Sequence, residues 1–142
     1  MRTLALDVGT KTIGVAVSDE LGITASGVTT IKRKSFEYDK RELARLIERY
    51  SPSEILVGIP YRSDGTVGKR GEGILKFAGK IKEAFHLPVV YWDESFSTAG
   101  AERFLIHADL GRKKRKKVID KMAAVYILAE YLESKRTVRE EN

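Results

Sequence analysis

The chain has 142 residues, of which 42% are hydrophobic and 32% are charged, and its formal net charge is +6 at pH 7. This length suits one domain, and no run of apolar residues is long enough to cross a membrane. There is no cysteine, which excludes disulfides, thiolate catalysis and zinc–thiolate sites. The start of the chain lacks the layout of a signal peptide. We therefore expect a cytoplasmic protein whose positive charge suits a polyanionic partner such as nucleic acid.

The beginning of the chain predicts three strands with short connections. Residues 2–8 (RTLALDV) and 12–18 (TIGVAVS) are two apolar runs joined by the turn GTK. Residues 23–31 (ITASGVTTI) are rich in β-branched side chains and predict a third strand. Adjacent strands with such short connections form an antiparallel meander.

After the third strand, the spacing of the hydrophobic residues becomes first that of a helix and then that of a fully buried strand. Residues 43–50 carry apolar side chains at helical spacing, and Ser51-Pro52 ends that helix. Residues 55–59 (ILVGI) predict a strand covered on both faces, and a glycine-rich loop follows over residues 60–73.

The second half of the chain repeats the alternation of helix and strand. Residues 74–85 predict an amphipathic helix, residues 88–92 another strand, and residues 98–109 a further helix. A last helix is predicted over residues 118–134, and the charged residues 136–142 after it should be frayed. The order predicts an α/β fold: a mixed five-stranded sheet, made of the meander and two βα-connected parallel strands, with helices on both faces.

Carboxylates stand where the predicted elements meet one edge of this sheet. Asp7 lies near the end of the first strand, and Asp93 and Glu94 follow the last one. Asp120, in the first turn of the last helix, shares a face with small and apolar residues and should point towards the sheet. Clustered carboxylates repel one another unless a cation lies among them, which favours a Mg²⁺ or Mn²⁺ site. The candidate catalytic and metal-binding residues are Asp7, Glu94 and Asp120, with Asp93 as a further candidate ligand.

Each acid also has a structural interpretation. Asp7 could accept hydrogen bonds from the amides of the following turn, and Asp120 could favour the positive end of its helix. The pair at 93–94 could cap a helix. The joint placement of the acids favours the metal site, since two divalent ions about 4 Å apart serve in-line displacement at phosphorus.

A run of six cations immediately precedes Asp120. Such a run is often a solvated loop, but here it borders the proposed site, and each phosphate contact releases condensed counterions. We therefore predict a basic loop that contacts a nucleic-acid backbone. The candidate nucleic-acid-binding residues are Lys11, Lys69, Arg70, Arg112, Lys113, Lys114, Arg115, Lys116 and Lys117.

Four motifs in this order resemble the YqgF family. They are DVGTKTIGVAVSD, then VGIP followed by DGT, then DESFST, then the basic run with IDKMAAVYIL. The resemblance covers residues 4–132. It implies an RNase H-like nuclease domain over residues 1–142 and divalent-metal phosphodiesterase activity. Members are described as nucleases that process the 5′ end of pre-16S ribosomal RNA and as Holliday-junction-resolvase-like proteins.

The family's acids fall on Asp7, on the pair Asp93 and Glu94, and on Asp120. One position departs from the pattern, because Ser95 stands where the family usually has an arginine after the Asp-Glu pair. An arginine there can clamp a phosphate with two hydrogen bonds, which serine cannot do. Arg62, Arg103 or a cation of the basic run would then have to supply the charge.

The expected function is a metal-dependent endonuclease that processes the 5′ end of pre-16S rRNA. Structured RNA is favoured over four-way DNA, precursor ribosomal particles are possible partners, and the protein should be a monomer or homodimer. The alternatives are a Holliday-junction resolvase and a non-catalytic nucleic-acid-binding module of ribosome assembly. An ATP-handling domain of the actin-like and sugar-kinase type also opens with a similar hairpin, but those proteins need two such domains.

Overall fold

The computed structural model describes residues 1–94 and 112–141, and the side chains of residues 1–94 and 121–136. These ranges hold five strands and three helices. In chain order they are β1 (Thr3–Val8), β2 (Thr12–Ser18), β3 (Ala25–Lys32), α1 (Phe36–Tyr50), β4 (Glu54–Ile59), α2 (Lys69–Phe85), β5 (Val89–Asp93) and α3 (Arg112–Glu141).

The strands form one mixed sheet in the order β3-β2-β1-β4-β5. β1 pairs with β2 and β2 with β3 in antiparallel fashion, whereas β1–β4 and β4–β5 are parallel. The predicted fold class, a meander extended by two parallel strands, is confirmed. β1 and β4 lie inside the sheet, and their residues are almost all buried, as their apolar sequences predict.

Side-chain alternation along the strands creates two cores, one on each face of the sheet. Leu4, Leu6 and Val8 of β1 belong to the core that α1 and α2 cover. Ala5 belongs to the core covered by α3. Asp7 shares the face of Ala5, so this carboxylate lies on the α3 side of the sheet.

The ends of the helices differ from the sequence prediction in two places. α2 begins at Lys69, inside the predicted loop over residues 60–73. α3 begins at Arg112 rather than near residue 118 and continues to Glu141 through the predicted frayed tail. The basic run is therefore part of a helix and not a loop. Arginine and lysine are good helix formers, and α3 contains neither proline nor glycine, so nothing interrupts the helix.

Asp120 consequently lies in the third turn of α3, not in its first. The helix predicted over residues 98–109, with Ser95 and Arg103, lies outside the described residues. No helix in the described ranges combines the length and apolar character needed to span a bilayer.

Candidate active site

Asp7 lies at the end of β1 that faces the ends of β4 and β5. Its side chain is only 8% exposed. In the parallel register Leu6 pairs with Val57, so Asp7 lies beside Gly58 of β4. In the turn that follows, the amide of Gly9 donates to the carbonyl of Thr12 at 2.8 Å.

Glu94 follows β5 and brings a second buried carboxylate to the same place. Its amide donates to the carbonyl of Ile59 at 3.1 Å, and its side chain is 5% exposed. The carboxylate lies over Gly58, where an added Cβ would come within 2.7 Å of Oε2. The registers of β1 with β4 and of β4 with β5 therefore place the carboxylates of Asp7 and Glu94 on one face of the sheet, on either side of β4.

One oxygen of Glu94 is unsatisfied within the described part of the chain. Oε2 is buried and accepts no hydrogen bond there. Oε1 lies 3.7 Å from Nη2 of Arg70, a side chain that is 58% exposed. Because burying a carboxylate oxygen without a partner is costly, this atom points to a cationic ligand.

Asp93 does not join this pair. It is exposed, and it pairs in register with Ile59, whose side chain belongs to the core under α1 and α2. Its position is thus on the opposite face of the sheet from Asp7. Two successive residues of an extended chain point to opposite faces, which explains why the structure brings together Glu94 and Asp7 but not Asp93.

α3 runs across the face that carries the two acids. Tyr131 donates to Glu54 at the start of β4, whereas Ile127 reaches Gly58 near its end. α3 is therefore antiparallel to β4, and its earlier turns extend beyond the strand ends where Asp7 lies. This places the basic run past the edge of the sheet that holds the acids.

The predicted inward face of α3 is confirmed where its side chains are described. Ala123, Ala124 and Ile127 have no exposed surface. Asp120 precedes these alanines by three and four positions and so belongs to the same helix face. Its side chain, like those of the basic run, lies outside the described residues. Among the described side chains, no three acids or histidines gather into a metal-binding group.

The predicted cations of the first half of the chain surround the turn after β1. Lys69 and Arg70 open α2 and line a cavity with Gly9 and Thr10. Lys11 is exposed in the turn between β1 and β2, and its carbonyl accepts a hydrogen bond from the amide of Arg33 at 2.8 Å.

Two residues of this region were not singled out from the sequence. Gly58 provides the space for the carboxylate of Glu94, and a glycine inside an apolar strand is the signal that could have found it. Arg33 lines the same cavity as Lys69, and its signal is the short basic stretch KRK that begins with the last residue of β3.

The residues present fit a divalent metal ion. Carboxylate oxygens are the ligands that Mg²⁺ and Mn²⁺ prefer. Two buried carboxylates lie here on the same face of the sheet, one on β1 and one just after β5, on either side of β4. The buried Oε2 of Glu94 and the glycine cradle that admits it are the structural observations that favour such an ion.

Comparisons with known proteins find relatives and solved structures that cover nearly the whole chain. A curated relative from Geobacillus kaustophilus, described as "putative pre-16S rRNA nuclease", is 56% identical over 138 residues, covering 96% of this chain and all of the relative. The Thermus thermophilus RuvC structure in complex with a Holliday junction substrate has a TM-score of 0.62 at 14% identity and covers 96% of each chain.

The fowlpox virus resolvase in complex with Holliday junction DNA has a TM-score of 0.60 at 18% identity, covering 95% of this chain and 99% of the resolvase. At these identities the two resolvase structures show the fold, which is RNase H-like. The family model described as "RuvX: Holliday junction resolvase" matches residues 1–134. With this match and a relative of more than half identity, the chain belongs to the RuvX (YqgF) family.

Proposed function

We propose that this chain is a divalent-metal-dependent endonuclease that hydrolyses phosphodiester bonds in the 5′ processing of pre-16S rRNA. The observation that carries the proposal is the buried Oε2 of Glu94, which has no hydrogen-bond partner among the described residues, together with buried Asp7 at the same end of the sheet. The family, and the description of the Geobacillus relative, support ribosomal RNA as the substrate. Precursor ribosomal particles in the cytoplasm are the corresponding partner.

Asp7, Glu94 and Asp120 are the proposed ligands of Mg²⁺ or Mn²⁺. When bound, the metal supplies Lewis acidity for water attack at phosphorus and for departure of the leaving oxygen. β1 carries Asp7, β5 leads directly into Glu94, and Gly58 of β4 leaves the space that the Glu94 carboxylate occupies. Asp120 completes the set from α3. Asp93 is left out, because its register position lies on the other face of the sheet.

The cations around this edge are proposed to bind the phosphate backbone. Lys11 lies in the turn after β1, Lys69 and Arg70 line the cavity beside it, and the basic run of α3 extends past the same strand ends. Arg70 lies 3.7 Å from Glu94, close to the carboxylate that precedes Ser95. Among the described side chains, it is therefore a cation placed to replace the arginine that the family usually carries at that position.

Cleavage of two substrates by the purified protein tests the proposal. A precursor rRNA fragment and a four-way DNA junction are each incubated with Mg²⁺, Mn²⁺ or EDTA. We expect metal-dependent cutting of the RNA that is lost in Asp7→Asn. Asp19→Asn is the matched control, because Asp19 follows β2 at the opposite end of the sheet, and an asparagine oxygen can still accept from the amides of Ile23 and Thr24.

Each of the other possible results would favour an alternative function or contradict the metal site. Cutting of the junction alone would favour a resolvase, for which gel filtration should give the homodimer that two symmetric cuts require. Undiminished cutting in EDTA or by Asp7→Asn would contradict the metal site. Tight RNA binding without any cutting would favour a non-catalytic assembly module.

A further inference from the structure

A basic cavity lies between the β1–β2 turn and the start of α2. Its volume is about 490 Å³, within the range of ordinary ligand clefts. Three cationic side chains line it, those of Arg33, Lys69 and Arg70, together with Gly9, Thr10 and the exposed Gly73. None of the described residues that line it is acidic. Arg33 and Arg70 are paired with Asp39 and Glu94 outside the lining, but the groups that face the cavity are hydrogen-bond donors of cationic side chains, which favours an anionic ligand.

Arg33 is fixed in position at the wall of this cavity. Its Nε donates to Oδ2 of Asp39 at 3.2 Å, and its Nη1 donates to the carbonyl of Gly9 at 2.6 Å. Its guanidinium also lies 4.9 Å from the ring centre of Phe77. Asp39 is almost fully buried behind it, and Arg33 itself remains 27% exposed. A guanidinium held in this way loses little conformational freedom when an anion binds.

The cavity lies near the carboxylates of Asp7 and Glu94 but on the opposite face of the sheet. Val8 and Ile74, which line it, belong to the core under α1 and α2, whereas Asp7 lies on the α3 face. Arg70 connects the two places, since it lines the cavity and also lies 3.7 Å from Glu94. A phosphate in the cavity is therefore near the cleavage site without being the phosphate under attack.

We propose that this cavity binds a non-scissile phosphodiester of the substrate strand and so sets where along the strand the cut falls. The inference rests on the proposed function, because it assigns a substrate contact next to the proposed ligands. Arg33 supplies the fixed donor, and the exposed Lys69 and Arg70 add charge at the rim. A free phosphate or mononucleotide has the same chemistry, but continuity with the carboxylates favours a polynucleotide.

Gly73→Glu tests this without disturbing the site. Nothing lies within 4 Å of a Cβ added at Gly73, so the variant should fold, and its carboxylate would enter a cavity built for an anion. Binding of a labelled single-stranded RNA is measured in the Asp7→Asn background, where no turnover is expected. We expect Gly73→Glu to weaken binding about tenfold, as loss of one charge-assisted contact should. Gly73→Gln adds similar bulk without charge and should lose less.

Gly79→Glu is the matched control. It introduces the same charge on the same helix, also with nothing within 4 Å of the new Cβ, but outside the cavity. Its affinity for the RNA should stay near that of the parent. Equal losses in Gly73→Glu and Gly79→Glu would overturn the proposal, because they would show a general effect of charge.

Two further experiments identify which phosphate of the RNA binds in the cavity and whether a free small anion binds there instead. Replacing single phosphates of the RNA by neutral methylphosphonates should weaken binding at one linkage, and that effect should disappear in Gly73→Glu. Displacement of the RNA by inorganic phosphate or AMP at comparable concentration would instead show a small-anion site and overturn the strand assignment. Binding is measured without turnover. A loss of affinity in Gly73→Glu would therefore support the phosphate site even if the parent protein cuts nothing. Conversely, metal-dependent cutting with unchanged Gly73→Glu affinity would remove only this inference.

Discussion

The carboxylate of Glu94 is held in the space that a side chain would occupy at Gly58. A Cβ added there would come within 2.7 Å of both Oε2 of Glu94 and Cδ1 of Ile127. These neighbours are the ends of side chains that come from two different parts of the fold, so a Cβ at Gly58 would force the carboxylate of Glu94 or the end of Ile127 out of its position. Gly58 therefore couples the position of a proposed metal ligand to the packing of the fold.

Gly58→Ala should damage activity more than stability. Overpacking of this kind costs about 1–3 kcal/mol in the free energy of unfolding, which urea titration measures. Because a displacement of about 1 Å at a catalytic group can cost about a hundredfold in rate, we expect a loss of that order in cleavage. Gly79→Ala is the control, since it has open space around the new Cβ and should stabilise α2 by up to about 1 kcal/mol. Equal activity in the two variants would contradict the role of Gly58.

At the scale of elements, a polar contact ties the second half of α3 to the start of β4. The hydroxyl of Tyr131 lies 2.9 and 3.0 Å from the two carboxylate oxygens of Glu54, and Nζ of Lys135 lies 3.2 Å from Oε1. This contact is at the end of the sheet away from Asp7. It fixes the direction in which α3 crosses the sheet and thereby carries its earlier turns past the proposed site.

Tyr131→Phe should weaken this attachment while keeping the packing of the ring. The loss of a hydrogen bond to a charged group should lower the free energy of unfolding by about 1–2 kcal/mol. Burial and the hydrogen bond to Glu54 raise the pKa of Tyr131 above its ordinary value near 10. The unfolded chain therefore releases this proton first, and its contribution to stability is full below about pH 10 and falls as the pH rises further. The stability difference between parent and variant should shrink accordingly, and a difference that grew with pH would contradict this.

The elements themselves could largely be predicted, because strand and helix periods are local properties of the chain. Ile74, Ala78 and Ile81 of α2 lie at helical spacing, and all three are buried as predicted. From the sequence, the start of α3 is placed too late, because the run of like charges is assigned to a phosphate-binding loop instead of to the helix. Its residues are nevertheless good helix formers, and no helix breaker separates them from the apolar part of α3.

The candidate site could be predicted only in part. Asp7 and Glu94 stand out because an acid at the end of an apolar strand is unusual, and the strand order brings them to one edge. Gly58 and Arg33 act through neighbours that are distant in the sequence, so no local pattern shows what they contact. The separation of Asp93 from Glu94 likewise depends on the register of β5 with β4, which periodicity does not give.

At the scale of the whole molecule, positive charge borders the end of the sheet where the acids lie. Arg33, Lys69 and Arg70 line the cavity beside the β1–β2 turn, and the basic run of α3 extends beyond the same strand ends. Two buried carboxylates would repel a phosphate backbone, and a surround of cations offsets this repulsion. The net charge of +6 is thus consistent with a polyanionic substrate whose binding depends on salt.

Neutralising part of the basic run should flatten that salt dependence. Helical spacing puts Lys113, Lys116 and Lys117 on the face of α3 that carries Asp120, so we choose these three cations of the run for substitution. Changing these three to glutamine should weaken RNA binding irrespective of base sequence. The slope of log affinity against log salt should become shallower by about 2, at about 0.7 per lost contact to a single strand.

The matched control changes Arg41, Arg45 and Arg49 to glutamine. These side chains are exposed on α1, which covers the opposite face of the sheet from α3. Both triple variants remove three positive charges, so the overall charge of the molecule changes equally. If only the α3 triple shifts the slope, the contacts are local to the proposed site. If both triples shift it alike, net charge alone explains the salt dependence, and the assignment of the basic run to phosphate contacts is wrong.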